Sequence, residues 1–526
     1  MANDAGKVVG IDLGTTYSAI ATLDERGQPI TLPNREGEML TPSAVLIDGD
    51  TAVVGQAALD VALERPQDVA TLIKRRMGYA SYGRPVAGRD FRPETLSALI
   101  LRKLVQDAEH RVGPIRQAVI TVPAYFDDTR RKATKDAGRI AGLDVLDILD
   151  EPTAAALAYS YRPPEGGAAA ASERPLSEAP QTVLVYDLGG GTFDVTVVRL
   201  SQQRFQTLAI EGDVRLGGKD WDDRIVDHVA AAFRQEYGED PRSDPQSLAL
   251  LQAAAERAKR TLSKLTQTRI TCAHAGKVLS VPLTRAEFEA MTRDLLTRTR
   301  LTVTQVLRQA RLRWEQIDRI LLVGGSTHMP MTGQMLRELS GKNPDNSLAV
   351  SEVVARGAAI HGGIVTARSP APKVPFDADV QDALRQIVEI NVISHSLGIE
   401  VRHHNERIND ILIVKNTQLP AAASRVYRTS VENQPRVRVK VLQGEAHQAD
   451  ACINIGECWI DDLPPNLPKG SPIQVRCSCG SDGLIDVMAL DMTSGRMARV
   501  EIHRSSGLSE DDLARERAWV ASLTIS

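Results

Sequence analysis

Over the first 366 residues, short apolar runs alternate with long stretches of helical periodicity. Ala118–Val122 reads as a strand, and Arg130–Ala141 and Leu248–Leu265 read as helices. Strand and helix in alternation argue an α/β domain. The stretch Ala367–Pro375 (ARSPAPKVP) breaks the pattern, and short alternating runs with Gly, Pro and Asn turns follow it. In Arg436–Leu442 (RVRVKVL), Val437, Val439 and Val441 share one face while Arg436, Arg438 and Lys440 share the other. That alternation predicts an antiparallel β domain with one covered face. Arg162–Gln181, rich in Pro, Gly, Ala and Ser, reads as a loop. Near the end, Ser509-Glu510-Asp511-Asp512 reads as an N-cap with acidic residues in the first helical turn. The following DLARERAWVASL is helix-compatible, with Leu513, Arg517 and Val520 near one face.

The first part repeats one unit. Asp12-Leu13-Gly14-Thr15-Thr16 lies between the apolar runs VVGI and SAIATL. Asp187-Leu188-Gly189-Gly190-Gly191-Thr192 lies between TVLVY and DVTVV. Two similar lobes facing one cleft are the simplest explanation. Glycine lets backbone N–H groups approach phosphate oxygens, and a Thr hydroxyl adds a donor. A carboxylate at a strand end can hold hydrated Mg2+, which needs one or two such ligands. A single DLGTT could equally be a hairpin turn; two copies in register argue a phosphate site. Leu321–Pro330 (LLVGGSTHMP) is a third strand ending in a Gly-rich turn, which alone is an ordinary strand-to-helix turn.

Length and composition narrow the class. A chain of 526 residues is too long for one core, so two or more domains are expected. Hydrophobic residues at 42% and charged residues at 25% suit a water-exposed globular protein. A net charge of −4 offers no basic stripe for nucleic acid. Five cysteines make no disulfide framework, and a reducing compartment fits them better. Met1–Lys7 has no apolar core of a secretory signal, and no run approaches a membrane span. A cytoplasmic protein with no nucleic-acid or membrane partner is expected.

The strings GIDLGTT, ITVPAYF, ATKDAGRIAGL, EPTAAALAY, VYDLGGGTFDV, LGGKDWD, ERAKRTLS and VGGSTHMP resemble the ATPase domain of the 70-kDa heat-shock chaperones. SLGIE, VKNTQLP, VLQGE and SSGLSEDDL resemble that family's peptide-binding β-domain. The resemblance runs in order from about Val8 to Leu513. It implies an actin-like (ribonuclease-H-like), two-lobed α/β ATPase domain over residues 1–366 and an interdomain linker over 367–390. A peptide-binding antiparallel β-sandwich over 391–507 and a short C-terminal helix over 508–526 would follow. The implied activity is slow ATP hydrolysis coupled to binding of extended apolar segments of unfolded proteins. A J-domain co-chaperone and a nucleotide exchange factor are the implied partners.

The resemblance also assigns residues. Gly14, Thr15, Thr16, Gly189, Gly190, Gly191 and Thr192 would contact the phosphates of ATP or ADP, with Thr192 counted in the catalytic set. Asp12 and Asp187 would hold hydrated Mg2+, and K+ is a further candidate ion. Lys74 would position the γ-phosphate and the attacking water, and Glu151 and Asp194 would orient that water. Gly217 and Gly218 would line the cleft. Glu256, Lys259, Ser263, Gly324, Gly325, Ser326 and His328 would hold the adenosine. Independently of the family, Glu256, Lys259 and Ser263 lie on one helix face by spacing, where a solvated ion pair is the plainer reading. Phosphoryl transfer needs mainly positioning and charge stabilisation, which a Lys, an ion and backbone donors supply.

Departures from the family pattern bear on regulation. His328 stands where an Arg usually stacks on adenine, and Ser351 replaces an Asp beside the nucleotide. The chain is shorter by a few tens of residues between Gly78 and Phe91, so one ATPase subdomain should be trimmed. The linker reads Ile387-Val388-Glu389-Ile390-Asn391 instead of a Leu-rich run. Asp147 replaces a basic residue that engages the acidic loop of the J-domain, so weak J-domain coupling is expected. Pro123 and Arg131 keep the family's proline–arginine relay. The C-terminal helix would be the start of a helical lid, packed on the β-domain through Trp519; so short a cover predicts fast peptide exchange.

In the β-domain, Ile399, Val401, Tyr427, Val437, Val439, Val441 and Leu442 fit an apolar peptide channel, or by alternation alone a sandwich core. Arg402 and Ser430 would arch over the peptide. Cys452, Cys458, Cys477 and Cys479 have poor zinc spacings, and His403-His404 reads as a solvated loop. A nucleotide-binding scaffold that kept the fold but lost coupling is the alternative function. A sugar or small-molecule kinase leaves the β-domain unexplained.

Overall fold

A computed structural model describes residues 7–163, 179–201, 203–345, 350–369, 376–404, 406–461, 463–480, 483, 485–495, 497–500 and 507–526. Most of the predicted loop 162–181, the centre of the 367–375 break and Ala349 lie outside the described residues.

The repeated unit becomes two lobes. In the first, Lys7–Asp12 pairs antiparallel with Tyr17–Leu23 and parallel with Ile115–Val122, which carries Asp144–Asp150 beyond it. In the second, Gln181–Leu188 pairs antiparallel with Phe193–Leu200 and parallel with Arg319–Val323. The hairpins place each Asp-Gly-Thr turn at the carboxyl end of its first strand. One apolar cluster joins the lobes beneath the cleft and includes Ala19 and Ala21 from the first sheet and Val183 and Val185 from the second. The helix Val353–Ala367 supplies its centre. Small residues let it approach: a Cβ on Gly10 would lie 2.0 Å from Ala359 N, and one on Gly357 would lie 1.8 Å from Ala154 O. The predicted elements are observed as the strand Ile115–Val122 and the helices Asp128–Ile140 and Pro245–Lys264.

The C-terminal part is a sandwich of two four-stranded antiparallel sheets. One contains Glu406–Ile413, Leu397–His403, Val437–Gln443 and Ile453–Ile460. The other contains Ala421–Arg428, Pro472–Cys479, Ile485–Asp491 and Met497–Val500. Its core takes Ile399, Val439, Val441, Val475, Cys477 and Val487, so the alternation in RVRVKVL does mark a covered face.

The sandwich sits against the two-lobed domain. Lys415 Nζ pairs with Glu211 at 2.7 Å, with both side chains 6% exposed. Asn416 Oδ1 accepts from Ile210 N at 3.0 Å, and Gln443 Oε1 accepts from Asp128 N at 3.1 Å. The Tyr125 and His395 rings stack at 4.2 Å. The described part of the linker from residue 376 onward forms two elements. Ala378–Gln386 forms a helix whose Val380 and Leu384 join the core between the lobes. Val388–Ile390 then adds a parallel edge strand to the second lobe along Arg204–Gln206.

The C-terminal helix departs from expectation. Glu510–Ser522 carries the predicted Ser509 cap, but it packs on the first lobe and not on the β-domain. Leu513, Val520 and Leu523 enter the core of that lobe, and Glu510 pairs with Arg139 at 2.7 Å. Thr524–Ile525 adds a parallel strand to the small sheet of Val45–Asp48 and Thr51–Val54. Aromatic packing holds it there: the ring of Trp519 covers Phe91, and Arg89 stacks 4.3 Å above Trp519.

Candidate nucleotide site

The two Asp-Gly-Thr turns and the Gly217-Gly218 turn converge between the lobes. Gly189 N donates to Thr192 O at 3.0 Å, and Gly218 N donates to Gly189 O at 3.0 Å. Side chains have no room here. A Cβ on Gly190 would lie 1.8 Å from the Thr16 hydroxyl, and one on Gly191 2.5 Å from Thr15 Cγ2. One on Gly217 would meet Gly191 backbone at 2.5 Å, and one on Gly218 would lie 2.5 Å from Ser326 Oγ. Glycine is therefore required by space at the cradle, which fits a phosphate-bearing ligand. Gly14 is braced from behind: its N–H donates to Ser18 Oγ at 3.1 Å and its carbonyl accepts from Ser43 Oγ at 2.8 Å.

At the base, Lys74 makes a buried ion pair with Glu151. Lys74 comes from the short Ile73–Arg76 helical turn, and Glu151 opens the helix Glu151–Ser160. Burial opposes the Lys74 ammonium, but Glu151, Asp12 and Asp187 outweigh it and hold its pKa above the ordinary lysine value. Asp12 accepts from Thr121 Oγ1 at 3.3 Å, and burial followed by Glu151 pushes its carboxyl up to about 7. Asp187 and Asp194 face each other across the hairpin. Burial, with Glu151 next, raises both well above the usual carboxylate range. Asp194 also accepts from Tyr125 N at 3.0 Å. Three buried carboxylates, Glu151, Asp187 and Asp194, and the half-buried Asp12 thus share one ammonium, an arrangement that a further cation would relieve. Among the described residues no three His, Cys, Asp or Glu groups form a metal cage. Mg2+ bound chiefly through phosphate and water needs none, so Asp12 and Asp187 fit it.

The expected adenosine residues are partly brought in. Lys259 Nζ donates to Gly218 O at 3.0 Å and pairs with Asp222 at 2.8 Å, and Ser326 Oγ donates to Gly189 O at 2.9 Å. Burial, against the pull of Lys259, raises Asp222 to about 6. Glu256 instead pairs with Arg260 at 2.6 Å, and Ser263 Oγ donates back to Lys259 O at 3.1 Å. Gly324 has φ 82° and sits against Leu188 O, whereas Gly325 and His328 are exposed. Ser351 is half-buried.

Contacts between side chains distant in sequence cross the cleft. Arg75 of the first lobe pairs with Asp220 of the second and donates to Gly191 O at 2.9 Å. Arg260 donates to Tyr17 OH at 3.0 Å, and Arg215 to Tyr79 OH at 2.7 Å. Asp220 lies within the string LGGKDWD, and Arg75 directly follows Lys74.

In the sandwich, Ile399 and Val439 are buried at 3% each, while Val401, Tyr427 and Val437 are half-buried at the edge of the same core. Tyr427 OH donates to Asp410 at 2.8 Å. Arg402 and Ser430 are exposed, as are His403 and His404. Cys477 and Cys479 are buried side by side on one face, and Cys272 is buried in the second lobe. Arg131 forms a buried pair with Asp150, next to Glu151. Among the described residues no helix is long and apolar enough to cross a membrane.

The family model described as Hsp70 protein matches residues 8–519, nearly the whole chain, across the paired turns, the linker and the sandwich. The chain therefore belongs to the Hsp70 family.

Proposed function

We propose that this protein is an ATP-hydrolysing chaperone whose nucleotide domain controls how its β-sandwich holds extended apolar segments of unfolded proteins. Hsp70 proteins are ATP-binding chaperones, typically ATPases, that bind nucleotide usually with Mg2+. The observation that carries the reading for this chain is the buried Lys74–Glu151 pair, set beside Asp12 and Asp187 between two glycine turns.

Each residue has a task that follows from its place. The turn at Gly189–Thr192 and the turn at Gly14–Thr16 offer backbone donors to phosphate oxygens. Asp12 and Asp187 would hold Mg2+, which supplies charge neutralisation on the phosphates when bound. Lys74 keeps its proton and points a fixed positive charge at the phosphate being transferred. Glu151 holds that ammonium in place, and Asp194 accepts a water proton or hydrogen bond on the opposite side. Arg75 and Asp220 keep the lobes closed, which excludes bulk water.

Peptide binding is assigned to the sandwich edge at Val401, Tyr427, Val437 and Ser430, with the exposed Arg402 as a further contact. The docked linker strand supports coupling between the two domains and disfavours an uncoupled scaffold. A J-domain protein and an exchange factor are proposed as partners, in a cytoplasmic setting. The test is single-turnover ATP hydrolysis with and without an extended apolar peptide. Stimulation is expected; a rate indifferent to peptide would replace this reading with the scaffold.

A further inference from the structure

His361 stands on the helix Val353–Ala367 and holds a carboxylate on each ring nitrogen. Nε2 lies 2.8 Å from Asp147 Oδ2, and Nδ1 lies 2.7 Å from Glu389 Oε2. The three residues come from three segments: the outer strand of the first lobe, the helix between the lobes, and the interdomain linker. A neutral imidazole has one N–H and one lone pair, so it cannot donate to both carboxylates; the imidazolium can. Burial opposes that charge, but Glu389 and then Asp147 outweigh it and push the ring up to about 10. These two carboxylates, one on the packed strand and one on the linker, are the charged groups that face the ring.

Glu389 depends on this contact. Its side chain is 9% exposed, and its second oxygen is buried with no hydrogen-bond partner. Without the imidazolium it would be an uncompensated buried charge. The strand that carries it is three residues long and pairs with Arg204–Gln206. So short an edge strand has little hold of its own. The strand it joins runs on to Gly212, which pairs with Asp194 at the nucleotide site.

We propose that Asp147, His361 and Glu389 form a charge clasp, with His361 as the positioning residue that keeps the linker docked as the edge strand of the second lobe. Leaving that edge strips Glu389 from the imidazolium, so docked and released linkers differ by a buried ion triad. The residue that departs from the family at position 147 is thereby given a use: its carboxylate turns inward to the clasp and also accepts from Ile148 N at 2.8 Å. The ring's docked value is raised above its free value. Its contribution to docking is whole below the ordinary histidine range and fades as pH climbs toward 10. The clasp rests on the docked linker alone and does not depend on peptide binding.

The test is limited proteolysis at the linker of the full chain with ATP and Mg2+, comparing wild type, His361→Gln, Glu389→Gln and the double variant. Each single change should speed cleavage roughly ten- to a hundred-fold near neutral pH. The double should add little, because both remove the same interaction. Wild-type cleavage should rise on the alkaline side, and both single variants should lack that rise. His361→Arg, a cation at every pH, should restore protection and abolish the alkaline rise. Thermal melts show whether a variant has folded; Glu389→Gln lies on the linker and leaves the lobe cores intact. Wild-type cleavage in Glu389→Gln, or an alkaline rise that persists in His361→Gln, would overturn the clasp.

Discussion

The ring of Trp519 lies 5.3 Å from the ring of Phe91, tilted by 47°, although more than four hundred positions separate them in the chain. The contact binds the C-terminal helix to the first lobe. Thr95 Oγ1 donates to Glu516 at 2.8 Å beside it. Trp519→Ala should therefore lower the stability of the nucleotide domain by about 2 kcal/mol, less than a fully buried ring would, because the side chain is half-buried. A melting transition of that domain unchanged by the substitution would show that the helix is a passenger.

Lys74 is the charge on which the hydrolytic reading depends. Lys74→Ala should slow single-turnover hydrolysis roughly 10²–10³-fold, by analogy with removal of one preorganised donor. Nucleotide binding should survive, since the glycine cradle is backbone. Equal rates in wild type and variant would remove Lys74 from catalysis.

Val437 sits half-buried at the edge of the sandwich core. Val437→Phe should fill the space expected to take a client side chain and weaken binding of a fluorescent apolar peptide, while ATPase stability stays unchanged. Unaltered peptide affinity would place the channel elsewhere.

His395 sets an acid limit on domain docking. Burial, aided by Lys415, Arg131 and Arg130, lowers its pKa from 6.5 to about 3. A ring held neutral contributes fully above its free value, and that share is lost as pH falls toward the docked value. Docking should weaken below about pH 6, where the free ring takes a proton. His395→Phe keeps the stack on Tyr125 and should blunt that loss. Small-angle scattering across the acid range reads the compactness of both proteins; an identical acid expansion would clear His395.

Periodicity and turn chemistry are local, and what they govern was legible. The strand around Ala118–Val122, the helix after Arg130 and the Ser509 cap follow from neighbours a few residues away. The repeated Asp-Gly-Thr turns pointed to two lobes because glycine and threonine in that order suit few backbone tasks, and the lobes then place both turns at one cleft. That Glu256 pairs with Arg260 and that His328 is exposed could not be read from residue type, which does not reveal which way a side chain turns.

Long-range pairing decided the rest. Nothing near Glu389 in sequence marks it as a partner of His361, and nothing near Trp519 marks Phe91. Both contacts join segments whose proximity depends on how sheets and helices stack. An amphipathic helix records that it has an apolar face, and an interrupted apolar run records that it can be a strand. Neither records which surface will cover it, because burial is supplied by whichever complementary surface the folded chain presents. Sequence alone determined the elements, the paired glycine turns and the family; tertiary structure alone decided that Val388–Ile390 is an edge strand and that the C-terminal helix belongs to the first lobe.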